Sequence, residues 1–271
     1  MNARRKFPRK PAGRRSLFLP IFGAVIFFLS APATKAQAAT AHPSGNTAAT
    51  APALKPENMG GQIFAHFLFN ELEARSGDNG TALRWDSEGW LGTDMNRLWL
   101  KSEGSVRNGT AKDTSLEVFY DRPIPRLRYF DAQAGMREDL DSGPHRTWGA
   151  VGIEGLAPHF FQFEPTFYFR GGGHVAGRIN TSYDLLITQR LIAQPNLEMN
   201  FYSKRDPQRN LGTGLTDLDT GVRLRYEIRR KFAPYIGFAY TRKFGDTATL
   251  SRQAGESVAD PAFVFGIRLW Y

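Results

Sequence analysis

The chain has 271 residues, 41% of them apolar and 13% aromatic, with no cysteine and a formal net charge of +9. This richness in core-forming side chains excludes a disordered chain. No run of 18 apolar residues exists to make a membrane-spanning helix. The missing Cys removes disulfides, thiolate metal sites and Cys nucleophiles.

The positive charge would suit a nucleic-acid partner if it were spread along the chain. It is not. Residues 1–38 hold Arg4, Arg5, Lys6, Arg9, Lys10, Arg14, Arg15 and Lys35, and no acid. Seven of these precede an apolar run from Leu17 to Leu29, and Ala36-Gln37-Ala38 offers a small-residue cleavage site. A basic start, a short apolar stretch and such a site read as a secretory signal peptide over residues 1–38. Pro20 interrupts the run, which is shorter than the roughly 20 residues of an anchor helix. Removing the signal leaves 27 basic and 26 acidic residues, so the exported chain is nearly neutral and no nucleic-acid partner is expected.

Residues 39–61 are rich in Ala, Thr, Pro and Gly and nearly uncharged. They cannot bury enough apolar surface to order themselves and are read as a disordered N-terminal tail. From Gln62 to Tyr271 no convincing amphipathic helix is visible. Apolar and polar residues alternate instead, in segments of about 10 residues separated by Gly, Asn, Asp and Pro. The spacing predicts strands over 63–75, 82–91, 96–106, 112–122, 128–140, 146–155, 159–170, 174–185, 189–202, 216–228, 234–244 and 262–271. The last is the clearest: Phe263, Phe265, Ile267, Leu269 and Tyr271 occupy every second position.

A soluble sandwich also alternates. Long strands, aromatic strand ends and a final strand that stops on an aromatic point instead to an all-β fold, a transmembrane antiparallel β-barrel over residues 62–271. Its apolar face meets outer-membrane lipid and its charges face a lumen, and closure satisfies every backbone group where no water can. Twelve strands return both ends to the periplasmic side. The longest connection, 245–261, then faces outside.

The pleat turns many charges inward, among them Asp86, Glu88, Arg97, Lys101, Glu103, Arg137, Glu164, Arg178, Asp184, Arg190, Glu198, Arg223, Arg225, Glu227 and Arg268. Opposed charges across a narrow lumen can brace the wall or form a polar pathway or ion site. Histidines stand at 42, 66, 145, 159 and 174, with no two at metal-ligand spacing, and methionines after the signal at 59, 95, 136 and 199. Imidazole and thioether are the metal-binding groups among them. His66, at the start of the first strand and just after Met59, is the best placed. No G-x-S-x-G nucleophile motif is present, so a lipid-modifying or proteolytic barrel enzyme is the least favoured reading.

Several fragments carry more than periodicity. They include His66-Phe-Leu-Phe-Asn70-Glu-Leu-Glu73, Trp85-Asp-Ser-Glu-Gly-Trp90 and Asn96-Arg-Leu-Trp-Leu-Lys-Ser-Glu-Gly104. Tyr183-Asp-Leu-Leu-Ile-Thr-Gln-Arg-Leu191, Gly221-Val-Arg-Leu-Arg-Tyr-Glu-Ile-Arg-Arg230 and Phe232-Ala-Pro-Tyr-Ile-Gly237 follow in order. From about Ile63 to Tyr271 the string resembles the copper resistance protein B family of Gram-negative outer membranes. The resemblance implies a non-catalytic barrel that binds copper ions or passes them across the outer membrane, working with periplasmic partners such as a multicopper oxidase. Family members often carry a Met/His-rich stretch before the barrel. Here residues 39–62 hold only His42 and Met59, which moves any site into the barrel or its mouth. The candidate copper ligands are Met59 with His66 at the periplasmic mouth and Glu73, Asp86 and Glu88 as inward acids. The alternative is a passive or structural barrel without copper specificity.

Overall fold

The computed structural model describes residues 62–141 and 144–271. The signal peptide, the tail and Met59 therefore lie outside the described residues. Twelve long strands make up the wall: β1 Phe64–Gly77, β2 Gly80–Gly92, β3 Arg97–Arg107, β4 Thr110–Pro123, β5 Phe130–Asp139, β6 Arg146–Ala157, β7 Phe161–Arg170, β8 His174–Ser182, β9 Leu191–Tyr202, β10 Gly214–Tyr226, β11 Phe232–Lys243 and β12 Ala259–Trp270. Each pairs antiparallel with its chain neighbours, and β1 pairs with β12, so the sheet closes. The seam is sealed at one rim by Phe67 and Tyr271, which exchange N–H to carbonyl bonds of 2.9 and 2.8 Å. This is the terminal rim. The opposite end, which carries the longer connections, is the loop rim. The fold is that of a transmembrane antiparallel β-barrel.

Alternation explains the wall. On β7, Phe161, Phe163, Phe167 and Phe169 are exposed outside while Thr166 and Tyr168 are buried inside. On β12, Phe263 and Phe265 are exposed while Ala262 and Val264 are buried. An apolar outer face of this extent suits lipid, not water. Among the described residues no helix is long and apolar enough to cross a membrane. Asn108 and Gly109, at φ 51° and 74°, make the two-residue turn that joins β3 to β4. Both central positions of such a hairpin turn need positive φ, which Asn and Gly accept at least cost.

Three departures from the sequence expectations have physical causes. The strand expected over 174–185 leaves the ladder after Ser182, and only Leu185–Leu186 re-pairs, with Ala193 and Ile192 of β9. Arg190 consequently sits exposed in the following turn and not in the lumen. The connection expected over 245–261 contains a nine-residue helix, α1 Gly245–Gln253, and β12 starts at Ala259, not at 262. Alternation cannot reveal so short a helix, whose buried residues Thr247, Ala248, Leu250 and Ser251 are mostly small or polar.

Candidate functional site

The lumen is filled by paired charges. Near the middle of β1 a bulge between Phe69 and Glu71 shifts the pairing with β2 by one residue. The shift turns Glu73 and Arg75 inward on a strand whose first inward residues are His66 and Leu68. Glu73 is fully buried and accepts from Arg223 Nε and Nη2, both at 2.9 Å, from Arg75 Nε at 2.6 Å and from Tyr235 Oη at 2.9 Å. Arg75 extends the cluster to Asp219 at 2.6 Å, where Thr241 also donates at 2.7 Å. A second cluster joins Arg137 to Asp139 at 2.7 Å and to Glu117 at 3.3 Å, with Trp148 and Tyr168 donating to the same acids. Burying a charge costs least when it is matched in this way.

Between these braces and the terminal rim lies a cavity of about 370 Å³. Eight carboxylates and five cationic side chains line it. Lys101 reaches across to Glu154 at 2.9 Å and also bonds Glu164, while Arg178 holds Glu103 at 2.5 Å. Formal charge therefore leaves the cavity acidic. Coulomb energies are larger in such a low-dielectric space than in water.

The two mouths differ. At the terminal rim the His66 ring lies between Trp90 and Trp270, with centroid distances of 6.3 and 6.2 Å. Arg97 sits 5.6 Å from the Trp90 centroid and Lys231 4.2 Å from that of Tyr271. At the loop rim Glu256, just after α1, bonds Lys112 of β4 and accepts from Lys243 of β11 at 2.9 Å. Those strands stand nearly opposite each other in the twelve-strand ring, so the connection carrying α1 is tied across the opening. Lys243 also donates to Ser251 of the helix at 3.0 Å. Burial alone would raise the Glu256 acid, but hydrogen bonds and charge from the two lysines outweigh it and hold the group at about 2.

The residues expected as ligands take separate places. His66 belongs to the terminal mouth. Glu73, seven residues on, is consumed by two arginines and a tyrosine. Asp86 and Glu88 line the central cavity, where Asp86 accepts from Asn70 Nδ2 at 3.0 Å. Among the described residues no three His, Asp or Glu side chains are gathered as a metal site. Glu154 and Glu117 escaped the sequence reading although both sit on the inward parity of their strands. Glu71, Arg75 and Asp219 escaped it as well; for the first two the bulge breaks the parity of β1.

The family model described as "Copper resistance protein B precursor (CopB)" matches residues 63–271. A copper resistance protein B homolog of Pseudomonas syringae pv. tomato is 40% identical over 209 residues, 77% of this chain and 70% of its own. The copper resistance protein B of Escherichia coli is 41% identical over 204 residues, 75% of this chain and 68% of its own. Among solved structures a NanC porin aligns with 76% of this chain and 99% of its own, at 14% identity and a TM-score of 0.49. With the family model spanning the whole barrel and two relatives near 40% identity, the chain belongs to the copper resistance protein B family.

Proposed function

We propose that this barrel supports copper tolerance by binding copper ions in its lumen or passing them across the outer membrane, and that it is not an enzyme. The observation that carries the reading is the acidic central cavity, eight carboxylates against five cations, inside a member of this family. Copper is the cargo. Carboxylate oxygens are replaceable ligands that draw a cation in without trapping it as a thiolate would. Residues 1–38 serve as the export signal, and a periplasmic multicopper oxidase meets the barrel at the terminal rim.

The density of paired charges favours a second reading, a structural barrel whose lumen is braced shut. Complementation separates the two. A strain lacking the gene is expected to lose copper tolerance and to regain it with the wild-type chain. A Glu88→Gln, Glu154→Gln, Glu164→Gln triple variant is expected to restore less, at equal amounts of folded barrel. Unchanged tolerance in the deletion strain would remove the copper reading, and full rescue by the triple variant would favour the structural one.

A further inference from the structure

The lumen arginines are matched almost without exception. Arg75, Arg84, Arg97, Arg107, Arg137, Arg146, Arg178, Arg223 and Arg225 each hold a carboxylate within 4.0 Å. Arg170 lies 4.8 Å from the centroid of Trp148. Among the described inward arginines of the wall, Arg268 alone has neither partner, and its Nε is buried without a hydrogen bond. An unmatched buried guanidinium is costly, so its retention needs a reason.

Its surroundings supply one. Arg268 lines a cavity of about 250 Å³ at the terminal mouth together with His66, Arg225, Arg230, Phe232 and Trp270. Arg225 is held from one side by Asp184 at 3.0 Å and Gln194 at 3.3 Å, while its Nε is also buried and unbonded. Glu227 is the one carboxylate in the lining, and among the described residues it makes no ion pair. Three guanidinium groups against one acid make the pocket cationic, the reverse of the central cavity. Such a pocket repels a copper ion from His66 and attracts an oxyanion, and a guanidinium presents its N–H groups in the fork that oxyanions fit.

We propose that this mouth pocket is a binding site for a small oxyanion, carboxylate or phosphate, held by Arg268 and Arg225 with Arg230 at its edge and Trp270 and Phe232 as an apolar wall. The inference is independent of copper passage, and its test uses no copper. The full-length protein in detergent micelles is titrated with sodium phosphate, with sodium citrate and with sodium chloride at matched ionic strength. Tryptophan fluorescence is followed, because Trp270 lines the pocket and Trp90 stacks on His66 beside it. Saturable change with phosphate, citrate or both, and none with chloride, is expected, the stronger response identifying the source of the oxyanion. Arg268→Gln should weaken it at least tenfold and Arg268→Lys less. Arg230→Gln, at an exposed position of the turn joining β10 to β11, should weaken it a few-fold, and Arg107→Gln at the opposite rim should leave it unchanged. If Arg268→Gln does not fold, the Arg230→Gln and Arg107→Gln pair decides. Absence of a saturable response to both oxyanions in the folded wild type would overturn the proposal. So would equal affinity in the wild type and every mouth variant.

Discussion

Glu73 shows how much a single lumen residue can carry. Its carboxylate serves Arg223, Arg75 and Tyr235 at once and is closed to solvent. Removing it leaves two guanidinium groups buried without their shared partner. Glu73→Ala is therefore expected to destabilise the barrel by about 3–5 kcal/mol, read from urea unfolding in lipid vesicles. A cost below about 1 kcal/mol would show that water replaces the carboxylate freely. The sequence named Glu73 as an inward acid but not the bulge that puts it there: counted strictly from His66, alternation sends Leu72 inward, and Glu71 and Arg75 are missed on that parity. Nothing in the composition of Phe69-Asn70-Glu71 announces that extra residue. The partners were equally hidden, since Arg223 stands 150 residues away in sequence. By contrast Arg178, Lys101 and Glu164 were legible, because their strands keep one parity from end to end.

At the scale of elements, the strands were legible and the outer connection was not. Period-two alternation follows from the pleat, so a long half-buried strand writes itself into the sequence within a few residues of its true ends. The connection after β11 has no such rule. Its helix is placed by long-range contacts: Thr247 Oγ1 accepts from the Gly212 N–H at 2.8 Å, and Glu256 ties β4 to β11. The Glu256 tether has a defined pH dependence. Its folded value, about 2, lies below that of a free glutamate, so its contribution is complete above about pH 4.5 and is lost as pH falls toward 2. Single-channel conductance in planar bilayers is expected to hold steady from pH 7 to about 5 and to become larger or noisier below. Glu256→Gln should show the low-pH behaviour at pH 7. A variant that matches the wild type at every pH would mean that the tether does not control the mouth.

For the whole molecule, charge is sorted rather than abundant. Residues 1–38 contribute +8 of the formal net charge of +9, and the barrel sets acids and bases against one another inside a lipid-facing shell. Within that balance it keeps two regions of opposite sign, an acidic central cavity and a cationic terminal mouth. The sorting into shell and lumen was legible, because lipid admits only the apolar parity of each strand. The division of the lumen into two signs was not, because it depends on which strands meet across the axis. His66 illustrates the difference: its residue type was legible, but not that it would lie between Trp90 and Trp270 in a cavity that Arg225, Arg230 and Arg268 also line.

The proposed function has copper entering this lumen. Its most direct test is copper uptake into lipid vesicles containing the purified full-length protein, with ion inside the vesicles and ion retained by the protein counted separately after gel filtration. Uptake or retention above protein-free vesicles is predicted, reduced several-fold by the Glu88→Gln, Glu154→Gln, Glu164→Gln variant. Copper levels equal to those of protein-free vesicles, with the barrel shown to be folded, would contradict it.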